Sequence, residues 1–483
     1  MKGVLKRFRK TMNGRRKNIF FNVILSFCAA SILLLCFSTG AGALEVRLKG
    51  ERLSIEAEQV PLQLILKQFA DQGMKVRIDP DLNPNITASF KDKEIQKGLD
   101  SILKSLSHVL IWESIPGYPG PIIKPAEIQV FKPGKKELMK PLHKRSNLEI
   151  VKDPSNGSLF VKDELLLRIK KGTSLEEFKK FIERIGGTVI AGYRALGIYR
   201  IRLPDDSDIP SIVQEIKNLP EVAEVEPNYA YPISSPYRDS TPGSLSSILS
   251  NIAISHEKVS IAILDSGLDL TAGLEDSVLA SLDALNPHEP IFDSLGHGTQ
   301  MALIAAGVVK PYGVREDPET YIPIIPIRAF DDNGFSSNFQ LMESVDFAIQ
   351  NGAGVISLSW GSENRSDFLE DLLDYANSKG LIIVASAGNE PTGTPVYPAA
   401  YKSVIGVGAL SPDGKTWVNS NYGDFVTLYA PGFAKLPVGY KADPGTYGGT
   451  SISTAFVANI IANYLSRNPE ATREEVFKAL GKR

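Results

Sequence analysis

Cysteine is nearly absent from this 483-residue chain, and the two present, Cys28 and Cys36, both lie in an N-terminal apolar run. Beyond that run there is no thiol to serve as a nucleophile or to pair in a disulfide. Histidine is sparse, at five residues. No charge of one sign dominates, with 53 Lys and Arg against 55 Asp and Glu. A nucleic-acid footprint is therefore missing. Only one long apolar run occurs, Ile19 to Phe37. The rest, 43% hydrophobic and 22% charged overall, has the composition of globular protein.

The first 18 residues hold eight basic residues and no acid. The apolar run follows, then the small residues Ser38-Thr39-Gly40-Ala41-Gly42-Ala43. This order is expected of a secretory signal peptide, residues 1–43, cut after Ala43. The run is also close to bilayer-spanning length, so a retained N-terminal anchor is the alternative. Either places the remainder outside the cytoplasm, as a secreted, periplasmic or envelope protein. Without those eight residues the balance is 45 basic against 55 acidic, a net charge of −10.

Residues 44–115 alternate short strands with two amphipathic helices. Leu62, Ile65, Leu66 and Phe69 mark one face of the first, and Ile95, Leu99, Ile102, Leu103 and Leu106 one face of the second. "VPLQLILKQFADQGMKVRIDPDL" and "ITASFKDKEIQKGLDSIL" resemble the short N-terminal domain of secretins and TonB-dependent receptors. The resemblance implies a small α+β binding module with a cell-envelope partner. A spacer without a partner is the bland alternative. Residues 116–157, broken by seven prolines, read as a solvated linker with a short strand at 128–131.

Residues 158–233 give the order βαββαβ, a ferredoxin-like unit. Thr173-Ser174 followed by Glu176 and Glu177 starts its first helix, and Gly186-Gly187 stops it. Ending in "VAEVEPNYAY", the segment resembles the inhibitory propeptide of subtilisin-like proteases. That implies a zymogen whose own propeptide occupies the cleft. A maturation cut is expected between Tyr229 and Ser244, and Pro232 disfavours the bond after Tyr231.

From residue 240 to 483, strand and helix patterns alternate, as in a doubly wound parallel sheet. Val259 to Leu264 is a buried-strand run ending at Asp265, where open α/β sheets keep their chemistry. Gly296-His297-Gly298-Thr299 precedes a helix, Gln300 to Ala306. Gly449-Thr450-Ser451 opens another, in which Phe456, Ile460 and Tyr464 recur on one face. Serine acyl transfer needs a nucleophile, a base and an orienting acid, and Ser451, His297 and Asp265 supply those types. Asn389 supplies an amide donor for an oxyanion. The elbow Gly-x-Ser-x-Gly of esterases is missing around Ser451.

"AILDSGLD", "GHGT", "VISLSWG", "ASAGNE", "YPAAYKSVIGVGAL" and "GGTS" resemble the successive signatures of the subtilisin-like serine proteases. The resemblance implies Asp265 as orienting acid, His297 as base, Ser451 as nucleophile and Asn389 at the oxyanion. It implies that Ser359, Trp360 and Gly361 bind the substrate backbone. Trp360, Gln300, Ala455 and Phe456 depart from the family pattern and bear on substrate preference. The implied chemistry needs no cofactor. Structural calcium is left open, since no Asp-rich ligand loop stands out and Asp331-Asp332-Asn333-Gly334 reads as a turn. The expectation is a self-processing endopeptidase acting on protein or peptide substrates, with a non-cutting scaffold as its rival.

Overall fold

A computed structural model describes residues 44–104, 106–115, 117, 119–142, 147–239, 258–287, 289–314, 321–441 and 443–480. The expected signal segment and most of the stretch that follows Asp239 lie outside these residues. Among the described residues, no helix is long and apolar enough to cross a membrane. The chain forms two compact units.

The first unit comprises residues 44–113 and 124–142. It runs β1 (Leu44–Lys49), β2 (Arg52–Pro61), α1 (Leu62–Asp71), β3 (Lys75–Ile78), β4 (Asn85–Glu94), α2 (Ile95–Ile102), β5 (Ser107–Ile115), β6 (Ile122–Phe131) and β7 (Lys140–Pro141). The sheets have the orders β1-β2-β4 and β5-β6-β3-β7. Leu62, Ile65, Leu66 and Phe69 of α1 and Ile95, Leu99 and Ile102 of α2 are buried in one core, as their spacing requires. The proline-rich stretch holds a full strand, β6, where a linker with a short strand was expected. Its ladder with β3 runs from Glu127 to Val130, beyond Pro125, so that proline costs the pairing no donor.

The second unit begins with β8 (Ile150–Lys152), β9 (Leu159–Ile169), α3 (Leu175–Arg184), β10 (Thr188–Tyr193), β11 (Ile198–Arg202), α4 (Ile209–Ile216) and β12 (Val222–Pro232). The antiparallel order β10-β11-β9-β12 is ferredoxin-like. Ser174 closes a capping box with Glu177 at the start of α3. Phe178, Phe181 and Ile182 of α3 and Ile209, Val213 and Ile216 of α4 bury against one face of this sheet.

The larger part continues with β13 (Tyr237–Asp239), β14 (Ser260–Asp265), β15 (Leu282–Asp283), α5 (His297–Ala305), β16 (Ile324–Arg328), β17 (Phe335–Ser337), α6 (Asn338–Gln350), β18 (Ala353–Leu358) and α7 (Asp367–Ser378). It ends with β19 (Ile382–Ser386), β20 (Val404–Leu410), β21 (Leu428–Pro431), β22 (Phe433–Leu436), β23 (Gly445–Gly448), α8 (Thr450–Arg467) and α9 (Arg473–Ala479). Seven parallel strands stand in the order β15-β16-β14-β18-β19-β20-β21. Leaving β14, the chain goes first to the edge strand β15, comes back to β16 beside β14, and then crosses to β18 on the other side. The C-terminal edge of β14 is therefore the switch point at which such sheets open a crevice.

Helix α8 is buried on most sides. Its inner face is Ile452, Ala455, Ala458, Ile461, Ala462 and Leu465. Of the face marked by spacing, Phe456 and Tyr464 are partly buried at the edge of the same core, and Ile460 is 38% exposed. The small alanines let the helix approach the sheet and α5 closely, and Asn459 donates to the carbonyl of Ala305 at 2.8 Å.

The outer face of the ferredoxin-like sheet packs on α6 and α7. Arg168 pairs with Glu224 and Asp371, both at 2.6 Å. Asn228 Oδ1 accepts from the Phe339 N–H, while its amide donates to buried Glu164. Burial opposes the charge on Glu164, but Arg200 and Arg202 outweigh it and hold that carboxyl below its ordinary value. Glu226 sits at the adjoining N-termini of α6 and α7. Its Oε1 accepts from Asn338 Nδ2 at 2.8 Å and from Ser366 Oγ. Burial pushes its carboxyl up to about 8, the Ser366 bond pulling the other way and the charges of Glu224 and Asp367 adding to the rise.

A carboxyl raised from 4.5 to about 8 contributes stability in full below pH 4.5. That contribution falls as pH climbs through about 8. Glu226→Gln keeps a neutral partner for Asn338 and Ser366. Melting the Ser451→Ala chain with and without this change should show equal stability near pH 5 and a more stable Gln variant near pH 9. Parallel profiles across that range would contradict the burial of a titrating Glu226.

Candidate active site

Three loops meet at the C-terminal edge of the large sheet. The first follows β14. Asp265 ends that strand fully buried, and its Oδ1 accepts from the Ser266 N–H at 2.7 Å and meets His297 Nδ1 at 2.8 Å. The backbone carbonyl of Asp265 accepts from Ala329 and Phe330, which tie it to the loop after β16. Its side chain is therefore set by rigid backbone on both sides.

The second loop places His297 as the first residue of α5. Gly296 precedes it at φ 82°, and a Cβ there would lie 2.1 Å from the carbonyl oxygen of Gly439. Gly298 passes so close to Gly267 that a Cβ would meet that backbone oxygen at 2.3 Å. Both glycines are steric requirements of the loop. Asp293, four residues before His297, brackets the same turn. Its Oδ1 accepts from Ser266 Oγ, Leu295 N and Gly296 N, and its Oδ2 from Thr299 N and Oγ1, all between 2.7 and 3.1 Å. His297 is fully buried, its ring lies edge-on to Tyr440 at 5.8 Å, and its Nε2 has no hydrogen-bond partner. Gln300, one turn further on, donates to the carbonyl of Val438 at 2.8 Å and so pins the Tyr440 segment to α5.

The third loop brings Ser451 to the second position of α8. It is buried, and its Oγ lies 3.5 Å from the carbonyl oxygen of Ser359, at the edge of hydrogen-bonding reach. The N-cap is Gly449, which offers no side chain to the first-turn N–H groups. Asn389 takes up part of that role. Its Oδ1 accepts from both Thr450 N and Thr450 Oγ1 at 2.9 Å. With the oxygen fixed, Nδ2 points into the crevice, where it donates to the carbonyl of Ser235 at 3.1 Å.

Ser235 belongs to a segment that threads the crevice. Ala230, Tyr231 and Pro232 pair antiparallel with Ser337, Ser336 and Phe335 of β17. Ile233 donates to the Gly334 carbonyl at 2.9 Å and forms an antiparallel bridge with Trp360 on the opposite wall. Asp331 shapes that first wall by accepting from Asn333 and Phe335, which makes residues 331–334 a turn. Gly361 is held flat against the far side, where a Cβ would meet Val396 at 2.5 Å. The ring of Trp360 packs 5.2 Å from that of Tyr231 and 5.9 Å from that of Phe330.

The structure thus joins Asp265 to His297, places Asn389 beside Ser451, and lays Ser359, Trp360 and Gly361 along the threaded segment. No hydrogen bond joins His297 Nε2 to Ser451. Asp293 and Asn338 were not singled out from sequence. Asp293 carried a usable signal, an acid four residues ahead of the histidine in a Gly-His-Gly turn, whereas Asn338 looks like any polar helix start. Among the described residues, no group of three His, Cys, Asp or Glu side chains is placed to hold a metal ion.

Residues 256–482 match the subtilase family, and residues 146–228 match the fervidolysin N-terminal prodomain. The chain is 28% identical over 313 residues to the thermophilic serine proteinase of Bacillus sp. (strain AK1), covering 63% of this chain and 78% of that protein. It is 31% identical over 277 residues to subtilisin NAT of Bacillus subtilis subsp. natto, covering 55% of this chain and 70% of that one. The crystal structure of fervidolysin from Fervidobacterium pennivorans, a keratinolytic enzyme related to subtilisin, superposes with a TM-score of 0.55 at 23% identity. That alignment covers 70% of this chain and 60% of that one and shows a shared fold. The chain belongs to the subtilase family and is a subtilisin-like serine endopeptidase carrying a prodomain, hence a zymogen.

Proposed function

We propose that this endopeptidase works outside the cytoplasm, through Ser451, His297 and Asp265, and releases its own prodomain by a cut between Tyr229 and Ser244. The observation that carries the reading is the fixed amide of Asn389. A side chain locked by two bonds to Thr450 and aimed at a peptide carbonyl is what oxyanion stabilisation requires. In this reading Ser451 Oγ attacks the carbonyl carbon and His297 Nε2 takes its proton. Asp265 holds Nδ1–H and stabilises the imidazolium that forms. The oxyanion is held by Asn389 Nδ2 and the Ser451 N–H. His297 then gives the proton to the leaving amine, and water hydrolyses the acyl-enzyme by the same steps in reverse.

Asp293 acts here as a positioning residue, since one carboxylate gathers Ser266, the Gly296 turn and Thr299 around His297. Residues 44–115 are proposed as a module for a cell-envelope partner. The unbonded His297 Nε2 leaves one rival, a scaffold that does not cut. Against it, catalytic hydrogen bonds are often loose before a substrate is bound and tighten only in the complex.

Ser451→Ala should lower casein hydrolysis by roughly 10⁶-fold. Asn389→Ala should lower turnover by roughly 10²–10³-fold with little change in KM, because the amide acts on the transition state. A fluorophosphonate probe should label the unaltered enzyme at Ser451 and leave the Ala variant unlabelled. Equal casein hydrolysis by both forms would overturn the nucleophile assignment, and an unreactive wild-type site would favour the scaffold.

A further inference from the structure

The chain passes the catalytic groups and is held on both sides of them. Upstream, Ala230 to Pro232 pair with β17, Ile233 donates to Gly334, and the Ser235 carbonyl accepts from Asn389 Nδ2. Downstream, β13 pairs antiparallel with β23, with Tyr237 opposite Gly448, Arg238 opposite Tyr447 and Asp239 opposite Thr446. The Tyr237 ring lies 6.3 Å from that of Trp417 and 6.4 Å from that of Phe433. Ser234, Ser235 and Pro236 alone lie between the two anchors, so the register cannot slip without breaking one of them. The carbonyl at the Asn389 donor is that of Ser235, and the peptide bond it belongs to is Ser235–Pro236.

We propose that Pro236 sets the rate of self-cleavage and keeps the chain latent, because the bond presented to Ser451 is a prolyl bond that the site breaks slowly. The inference rests on the proposed catalytic reading and names the first bond on which that site acts. Acyl-enzyme formation joins Ser451 Oγ to the Ser235 carbonyl carbon and breaks the bond from that carbon to the Pro236 nitrogen. The proton of Ser451 passes through His297 Nε2 to that nitrogen, which leaves as a secondary amine. In any other residue the nitrogen carries a hydrogen, which leaves room beside it for the donor. In proline the ring Cδ stands there and φ is locked. Neither partner has room to move aside. His297 is fully buried, tied to Asp265 through Nδ1 and edge-on to Tyr440. The pyrrolidine cannot swing out while Tyr237, the next residue, is laddered to Gly448. General acid–base transfer contributes roughly 10²–10⁴-fold in rate, and a donor kept from its nitrogen forfeits part of that. The intact strand therefore stays in the cleft longer than one with any other residue at 236.

The test follows self-cleavage of residues 44–483 by intact mass, as wild type and as Pro236→Ala. The Ala chain should convert at least about tenfold faster, parting between residues 235 and 236, and should stay whole when Ser451→Ala is added. A second measurement leaves the protein unaltered. Enzyme processed from either chain is given quenched-fluorescence peptides Tyr-Pro-Ile-Ser-Ser-Xaa-Tyr-Arg, with Xaa as Pro or Ala. The Ala peptide should be cut after its second serine at least about tenfold faster than the Pro peptide. Equal conversion rates of the two chains would overturn the inference, as would a cut of Pro236→Ala at another bond or equal hydrolysis of the two peptides. If neither chain is cut and neither hydrolyses casein, the catalytic reading on which the inference rests falls instead.

Discussion

The start of α8 is a helix N-terminus buried without a capping side chain. Its first-turn N–H groups cannot reach acceptors within the helix, and Gly449 gives them none. Asn389 satisfies Thr450, and by doing so becomes a fixed donor beside Ser451. The partial positive charge of a helix start adds to the same spot. A buried polar deficit of this kind costs stability unless something negative or electron-rich fills it. Here the carbonyl of Ser235 does so, and a developing oxyanion would do so better.

Strand β12 links that deficit to the prodomain. Its early part belongs to the ferredoxin-like sheet, through Val222 to Tyr229 on β9. Its later part leaves that sheet and pairs with β17 in the crevice. Between them Glu226 and Asn228 reach the starts of α6 and α7. One continuous strand thus serves both as a structural member of the small domain and as the peptide in the cleft. Asn338 faces both roles, with one amide group toward Glu226 and its oxygen toward Tyr231.

The sequence made the large sheet legible because its strands are short β-branched runs ending in chemistry-bearing residues. Asp265 at a strand end, His297 between glycines and Ser451 at a helix start follow from that pattern. Helix faces of the first unit were equally plain, since Leu62, Ile65, Leu66 and Phe69 bury where their period puts them. Other features depend on tertiary context. The exposure of Ile460 follows from the close approach of alanines on the opposite face, which periodicity alone does not rank. Strand β6 was obscured by prolines that flank or precede its ladder with β3. Trp360 stood out as a bulky departure, but only Tyr231 and Phe330 on either side explain its direction.

The intact mass of residues 44–483, expressed as wild type and as Ser451→Ala, addresses the whole account at once. Splitting of the wild type between residues 229 and 244, with the Ala chain left whole, is the predicted result, and the mass would name the bond. A wild-type chain that stays whole under conditions where it binds but does not react with a fluorophosphonate would contradict it.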